Sequence, residues 1–168
     1  MRKNYKRLGD YIEQVNVRNS DLKDIPLVGL SINKVFIPSI ANTIGTNMAN
    51  YKEIKRNQFA YGPVTSRNGE KITIALFKDY DEALISQAYL PFEIIKPDEL
   101  LPEYLMMWFS RPEFDRYARY KSHGSARETF DWAEMCEVEG HVASIEEQEK
   151  RVLEYQTVEN TMKVNDLR

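Results

Sequence analysis

The run from 145 to 166 contains no glycine and no proline, is rich in glutamate, and sets Ile145, Val152, Tyr155 and Met162 at spacings of seven, three and seven. Gln148 and Glu159 fill the intervening core-type positions of the same heptad frame. Apolar residues at this spacing share one face of an α-helix, and nothing in the run interrupts the backbone ladder, so one long coiled-coil helix is expected. With no segment read after it to fold back, such a helix either lies on its own domain or meets another chain; the second is the favoured expectation, through Ile145, Gln148, Val152, Tyr155 and Met162. The division that follows is a globular part over 1–143 and a spacer or dimerisation helix over 144–168.

The globular part is ordinary in composition, with 42% hydrophobic and 29% charged residues overall. No apolar run approaches the roughly 18 residues that would cross a bilayer, and the basic opening MRKNYKRLGD has no apolar stretch behind it. A single cysteine, Cys136, excludes an internal disulfide and multi-cysteine metal sites. These features point to a cytoplasmic protein with no membrane partner.

Net charge is −3, but it is unevenly spread. Residues 1–80 carry 13 Lys/Arg against 7 Asp/Glu, a balance of +6, whereas residues 128–168 carry 4 against 11, a balance of −7. A chain basic at one end and acidic at the other can present a positive face to phosphate despite its acidic total.

Periodicity gives a mixed pattern. Leu8, Tyr11, Ile12 and Val15 lie at helical spacing and predict a short amphipathic helix. The runs 26–32, 35–37, 58–64 and 71–77 read as strands. Asn68-Gly69 between the last two predicts a hairpin. The apolar stretch 83–95, broken by Pro91, predicts two strand pieces or an edge strand. Helical spacing then takes over. Asp98 is the expected N-cap of a helix through Leu101, Tyr104, Leu105, Trp108 and Phe109. Pro112 should open a second helix with Phe114, Tyr117 and Tyr120 inward and Gly124 as its C-cap.

Chemistry-bearing constellations are few. Walker, Rossmann and zincin motifs are absent. Cys136 has no glycine elbow and acidic neighbours, which would raise its thiol pKa rather than activate it. Glu146-Glu147 fits the start of a helix, where carboxylates complement the dipole.

Four segments in order carry a resemblance: Lys6-Arg7-Leu8-Gly9-Asp10-Tyr11-Ile12; Leu101-Pro102-Glu103-Tyr104-Leu105; Gly124-Ser125-Ala126-Arg127 followed by Phe130; and Ser144-Ile145-Glu146-Glu147-Gln148-Glu149-Lys150-Arg151-Val152. Together they resemble the target recognition domain of type I restriction–modification specificity subunits. The resemblance implies an α/β (α+β) fold, a twisted mixed sheet with packed helices followed by the long helix. It implies a non-catalytic protein that reads double-stranded DNA and docks a DNA methyltransferase subunit, with a restriction subunit joining the assembly. It also implies that this chain carries no cofactor, since S-adenosylmethionine would sit on the methyltransferase subunit. Such subunits carry two recognition domains separated by paired helices. This chain holds one of each, so it resembles a half-subunit, expected to pair with a second copy or another half-subunit through the last helix. The alternative is an adaptor derived from such a subunit that oligomerises without binding DNA.

Reading a duplex requires cations for phosphates and hydrogen-bonding side chains for base edges. Three polar loops offer both. The first, over 42–55, contributes Asn47, Lys52 and Lys55. The second, over 61–71, contributes Thr65, Ser66, Arg67, Asn68 and Lys71. The third, over 119–127, contributes Lys121, Ser122, His123, Ser125 and Arg127.

Overall fold

The computed structural model describes residues 4–39, 46–65, 71–124 and 127–166. In chain order the elements are β1 (Tyr5–Arg7), a 3-10 turn (Leu8–Asp10), β2 (Ile12–Gln14), β3 (Val28–Leu30), β4 (Phe36–Pro38), a second 3-10 turn (Met48–Asn50), β5 (Lys52–Lys55), β6 (Phe59–Tyr61), β7 (Ile74–Leu76), β8 (Glu82–Ile85), β9 (Leu90–Ile94), α1 (Pro102–Phe109), α2 (Pro112–Tyr120), α3 (Trp132–Glu137), β10 (Glu139–His141) and α4 (Ile145–Asp166). This is the expected α/β mixture ending in a long helix.

A four-stranded sheet in the order β2-β9-β6-β7 organises the rest, and each neighbouring pair is antiparallel. Successive residues of a strand face opposite sides, so this sheet serves two cores. Phe59, Tyr61, Ile74 and Phe92 point to the helices and meet Phe109, Phe114, Phe130 and Met135. Phe59 and Phe92 are direct cross-strand partners with rings stacked 5.0 Å apart, and Phe109 packs edge-on to both. Ala60 and Ala75 point the other way. Their small side chains admit a second layer built from β3–β4 and β5–β8, with Val28, Leu30, Ile54, Phe77, Ala83 and Ile85. A parallel bridge, Leu27–Leu84, joins the two halves of that layer.

The helix expected over 8–15 does not form. Leu8, Tyr11 and Ile12 are buried, as their spacing indicated, but by distant partners. β1 pairs with β10, β2 pairs with β9, and the Leu8 N–H donates to the Val138 carbonyl at 2.7 Å. A weak local helical preference, interrupted by Gly9, loses to two long-range ladders.

The stretch 83–95 does divide into two strands, but Pro91 stands in β9, which is paired on both sides. Its carbonyl accepts from Val15 N–H at 2.9 Å, past the last β2 pair at Gln14–Phe92. The missing N–H therefore falls where β2 has already ended, and the ladder loses little.

The expected hairpin is β6–β7, with Tyr61 opposite Ile74 and the Gly62 N–H donating to the Thr73 carbonyl. It does not run straight on to a two-residue turn. Beyond Gly62 the first arm leaves β7 and binds residues 128–130 instead: Phe130 N–H donates to the Pro63 carbonyl and Val64 bridges Thr129. Asn68 and Gly69 lie outside the described residues.

Helix boundaries also differ from expectation in instructive ways. α1 starts at Pro102 rather than after Asp98, and Leu101 at its N-cap has no side-chain cap of its own. The carboxamide of Gln148 substitutes by accepting from the Leu101 N–H at 2.9 Å. α2 opens on Pro112 as expected, but it ends at Tyr120, and Tyr120 is 83% exposed rather than in the core. Gly124 does not cap α2. It sits at φ +121° in a tight loop between His123 and Thr129, where a Cβ would collide with the Arg127 carbonyl.

α4 is a 22-residue helix, as the heptad frame indicated. Its root belongs to the domain: Val152 packs against the main core, and Gln148 is completely buried. From Leu153 onward every described residue is exposed.

Candidate nucleic-acid interface

The departure of the β6 arm brings the second and third loops together. Thr65, predicted to face DNA, is buried. Its N–H donates to the Glu128 carbonyl at 2.9 Å, and its hydroxyl lies 2.9 Å from Ser122 Oγ and 3.2 Å from that carbonyl. Ser122 Oγ donates to the Ala118 carbonyl at 2.7 Å. Tyr61 Oη donates to the Phe130 carbonyl at 3.1 Å, and burial pushes its phenol pKa well up, so it remains a donor. Thr65 and Ser122 thus have their hydroxyls engaged within the protein and hold the loop ends in register.

His123 is exposed, exchanges two backbone hydrogen bonds with Thr129, and places Nε2 3.1 Å from Glu134 of α3. Asp131 is committed to capping α3 through the Glu134 N–H. Arg127 is exposed and forms no ion pair among the described residues. Lys121 is half-buried, with its ammonium 5.7 Å from the exposed Tyr120 ring. Tyr120 is the interface candidate that helical spacing concealed, because spacing cannot tell where a helix outruns the core. Ser66, Arg67, Asn68 and Ser125 lie outside the described residues.

Loop one contributes less as a unit. Asn47 caps a 3-10 turn by accepting from the Ala49 N–H. Lys55 is exposed at the far end of β5, opposite Glu82. Lys52 lies at the near end, its ammonium donating to the Tyr89 carbonyl at 3.0 Å. Tyr89 packs beside Gly62, where the β6 arm turns toward the other loops. Lys71 is exposed but lines a different feature, a groove of about 540 Å³ between the β3–β4 turn, α1 and α4.

Of the predicted seam residues, Gln148 makes three bonds within its own chain: it accepts from Leu101 N–H and donates to the Glu99 and Ala143 carbonyls, each at 2.8 Å. It is a clamp, not part of an outward seam. Ile145 and Val152 are half-buried on the domain, while Tyr155 and Met162 are exposed.

Cys136 is half-buried beside Gly9 and Arg7. Burial raises its thiol pKa, Arg7 opposes this, and Glu137 adds to it. Its potential bases face other partners, His123 Nε2 lying 3.1 Å from Glu134 and the His141 ring packing edge-on to Tyr5 with Nδ1 3.5 Å from Tyr104 Oη. No group of three His, Cys, Asp or Glu residues suited to a metal occurs among the described residues.

No protein-family model and no curated protein matches the sequence. Solved structures do match the fold. The HsdS subunit from Thermoanaerobacter tengcongensis superposes with a TM-score of 0.59 at 12% identity, covering 98% of this chain and 39% of that one. A chain from a type I R-M system, solved in a study of its complex assembly and conformational transition, gives 0.59 at 10% identity, covering 98% of this chain and 40% of that one. The resemblance read from the sequence is therefore matched by the fold along essentially the whole chain. The chain spans about two fifths of the length of these neighbours.

Proposed function

We propose that this chain is the DNA-reading part of a type I restriction–modification system, a target recognition domain of a specificity subunit without catalysis of its own. Two polar loops, stitched at Thr65, Ser122 and Glu128, lie against duplex DNA. Exposed Arg127 and Tyr120 face it, with half-buried Lys121 beside Tyr120, and Ser66, Arg67, Asn68 and Ser125 are further contacts in this reading. α4 joins a second copy or another half-subunit, and the pair directs a methyltransferase subunit, and through it a restriction subunit, to a split target. The observation that carries this reading is the fold shared with HsdS over 98% of the chain.

The test is co-expression with the methyltransferase subunit of the same system, followed by mapping of modified bases. A bipartite motif that appears only when this chain is present supports the reading. Methylation without sequence preference, together with an intact complex, favours the adaptor instead.

A further inference from the structure

We propose that Arg18 and Lys52 form a phosphate-binding site on the flank of the reading loops, taking a backbone phosphate of duplex DNA. Arg18 stands directly opposite Lys52 in an antiparallel bridge. The bonds on either side, Asn19 N–H to the Tyr51 carbonyl and Glu53 N–H to the Val17 carbonyl, make this a non-hydrogen-bonded pair. That is the closest cross-strand position, and it puts both side chains on one face. The strand carrying Arg18 is held firmly. Asn19 is fully buried, accepts from Lys23 N–H at 2.8 Å and lies 3.4 Å from the Met48 carbonyl.

Two like charges directly opposite each other destabilise a strand pair. The nearby acids do not relieve them, because Lys23 takes both Glu53 of β5 and Glu82 of β8. Among the described residues neither Arg18 nor Lys52 has a carboxylate within ion-pair distance. Burial and the neighbouring Arg18 both push the Lys52 ammonium pKa down. Lys52 spends one N–H on the Tyr89 carbonyl and keeps two donors, while Arg18 is exposed with its whole fork available. Two cationic donors side by side, with no carboxylate in ion-pair reach among the described residues, suit a tetrahedral oxyanion. Lys52 is half-buried and already tied to the Tyr89 carbonyl, which suits an outlying backbone phosphate better than a base edge within a groove. Tyr89 links the site to Gly62, where the β6 arm departs for the loops.

The assignment to DNA rests on the proposed function, whereas the affinity for phosphate does not, and the experiment separates the two. In the first arm, the melting temperature of the full chain is followed with added inorganic phosphate and with sodium chloride of equal ionic strength. Wild type should gain stability from phosphate beyond the chloride control. Arg18→Gln should lose that gain, and in low salt without phosphate it should melt no lower than wild type, since a repulsion has been removed. An equal phosphate gain in Arg18→Gln, or none in wild type, overturns the site. In the second arm, duplex binding is measured against salt. Arg18→Gln should reduce the slope of log affinity on log salt by about one, equally for all sequences. A change in sequence preference with an unchanged slope would make Arg18 a base reader and overturn the assignment. Phosphate stabilisation without any duplex binding by wild type would support the anion site and overturn the DNA reading.

Discussion

Gln148 takes a carboxamide out of water completely and finds a partner for its oxygen and for both of its N–H bonds. A buried polar group left unmade costs about 1–3 kcal/mol, so this side chain holds a helix root at an energy comparable to a good apolar contact. Gln148→Leu preserves the approximate volume but strands the Leu101 N–H and two carbonyls. Urea denaturation should show a loss of roughly 2–4 kcal/mol, with Gln148→Glu at least as costly because a carboxylate donates to neither carbonyl. A neutral Gln148→Leu would mean water reaches the site. The glutamine was visible in the sequence as a polar residue in a heptad core. Its role was not, because two of its three partners lie 47 and 49 residues upstream.

At the level of elements, the decisive event is the divergence of β6 from β7 after Gly62. Asn68-Gly69 announced a hairpin, and a hairpin formed, but turn residues specify only the nearest reversal. The competing partner for the β6 arm is residues 128–130, more than sixty positions away, and Thr65 locks the exchange. Thr65→Val keeps the shape and removes the hydroxyl. Amide exchange should accelerate at His123 and Thr129, whose backbones bond each other, whereas Thr65→Ser should retain wild-type protection. Unchanged exchange in Thr65→Val would show that the backbone bonds suffice. The opening residues 8–15 teach a related lesson. Their apolar spacing located the buried side chains correctly and named the wrong element, since 3.6-residue periodicity over about two turns does not exclude strand–turn–strand.

For the molecule as a whole, α4 is two things in succession. Up to Val152 it is part of the domain; Tyr155, Gln156 and Glu159 then form one wall of the groove against the β3–β4 turn and α1, and the helix runs on to Asp166. Val158 and Met162 are exposed and line no part of that groove, Met162 at 62% exposure. This limits how partner binding can be tested. Substituting Val152 would damage the protein's own core and Tyr155 lines the groove, whereas Val158→Asp with Met162→Asp touches neither. Sedimentation should report a monomer for that double variant with an unchanged melting transition. A dimer that persists would place the contact elsewhere, with the groove lined by Lys71, Met106 and Met107 the next surface to probe.

Local signals were enough for what short-range geometry dictates. An uninterrupted heptad run had to be a helix, Pro112 had to open one, and two neighbouring apolar runs paired as antiparallel strands. The candidate loops were legible for the same reason, as polar segments between apolar ones. Long-range packing alone decided which of those polar groups remain available. It turned Thr65, Ser122 and Gln148 inward, released Tyr120 outward, and set Arg18 against Lys52. A hydrogen bond or a charge pair depends on distance in space, and the spacing of residues along the chain does not encode the distance between segments that meet only when the sheet closes.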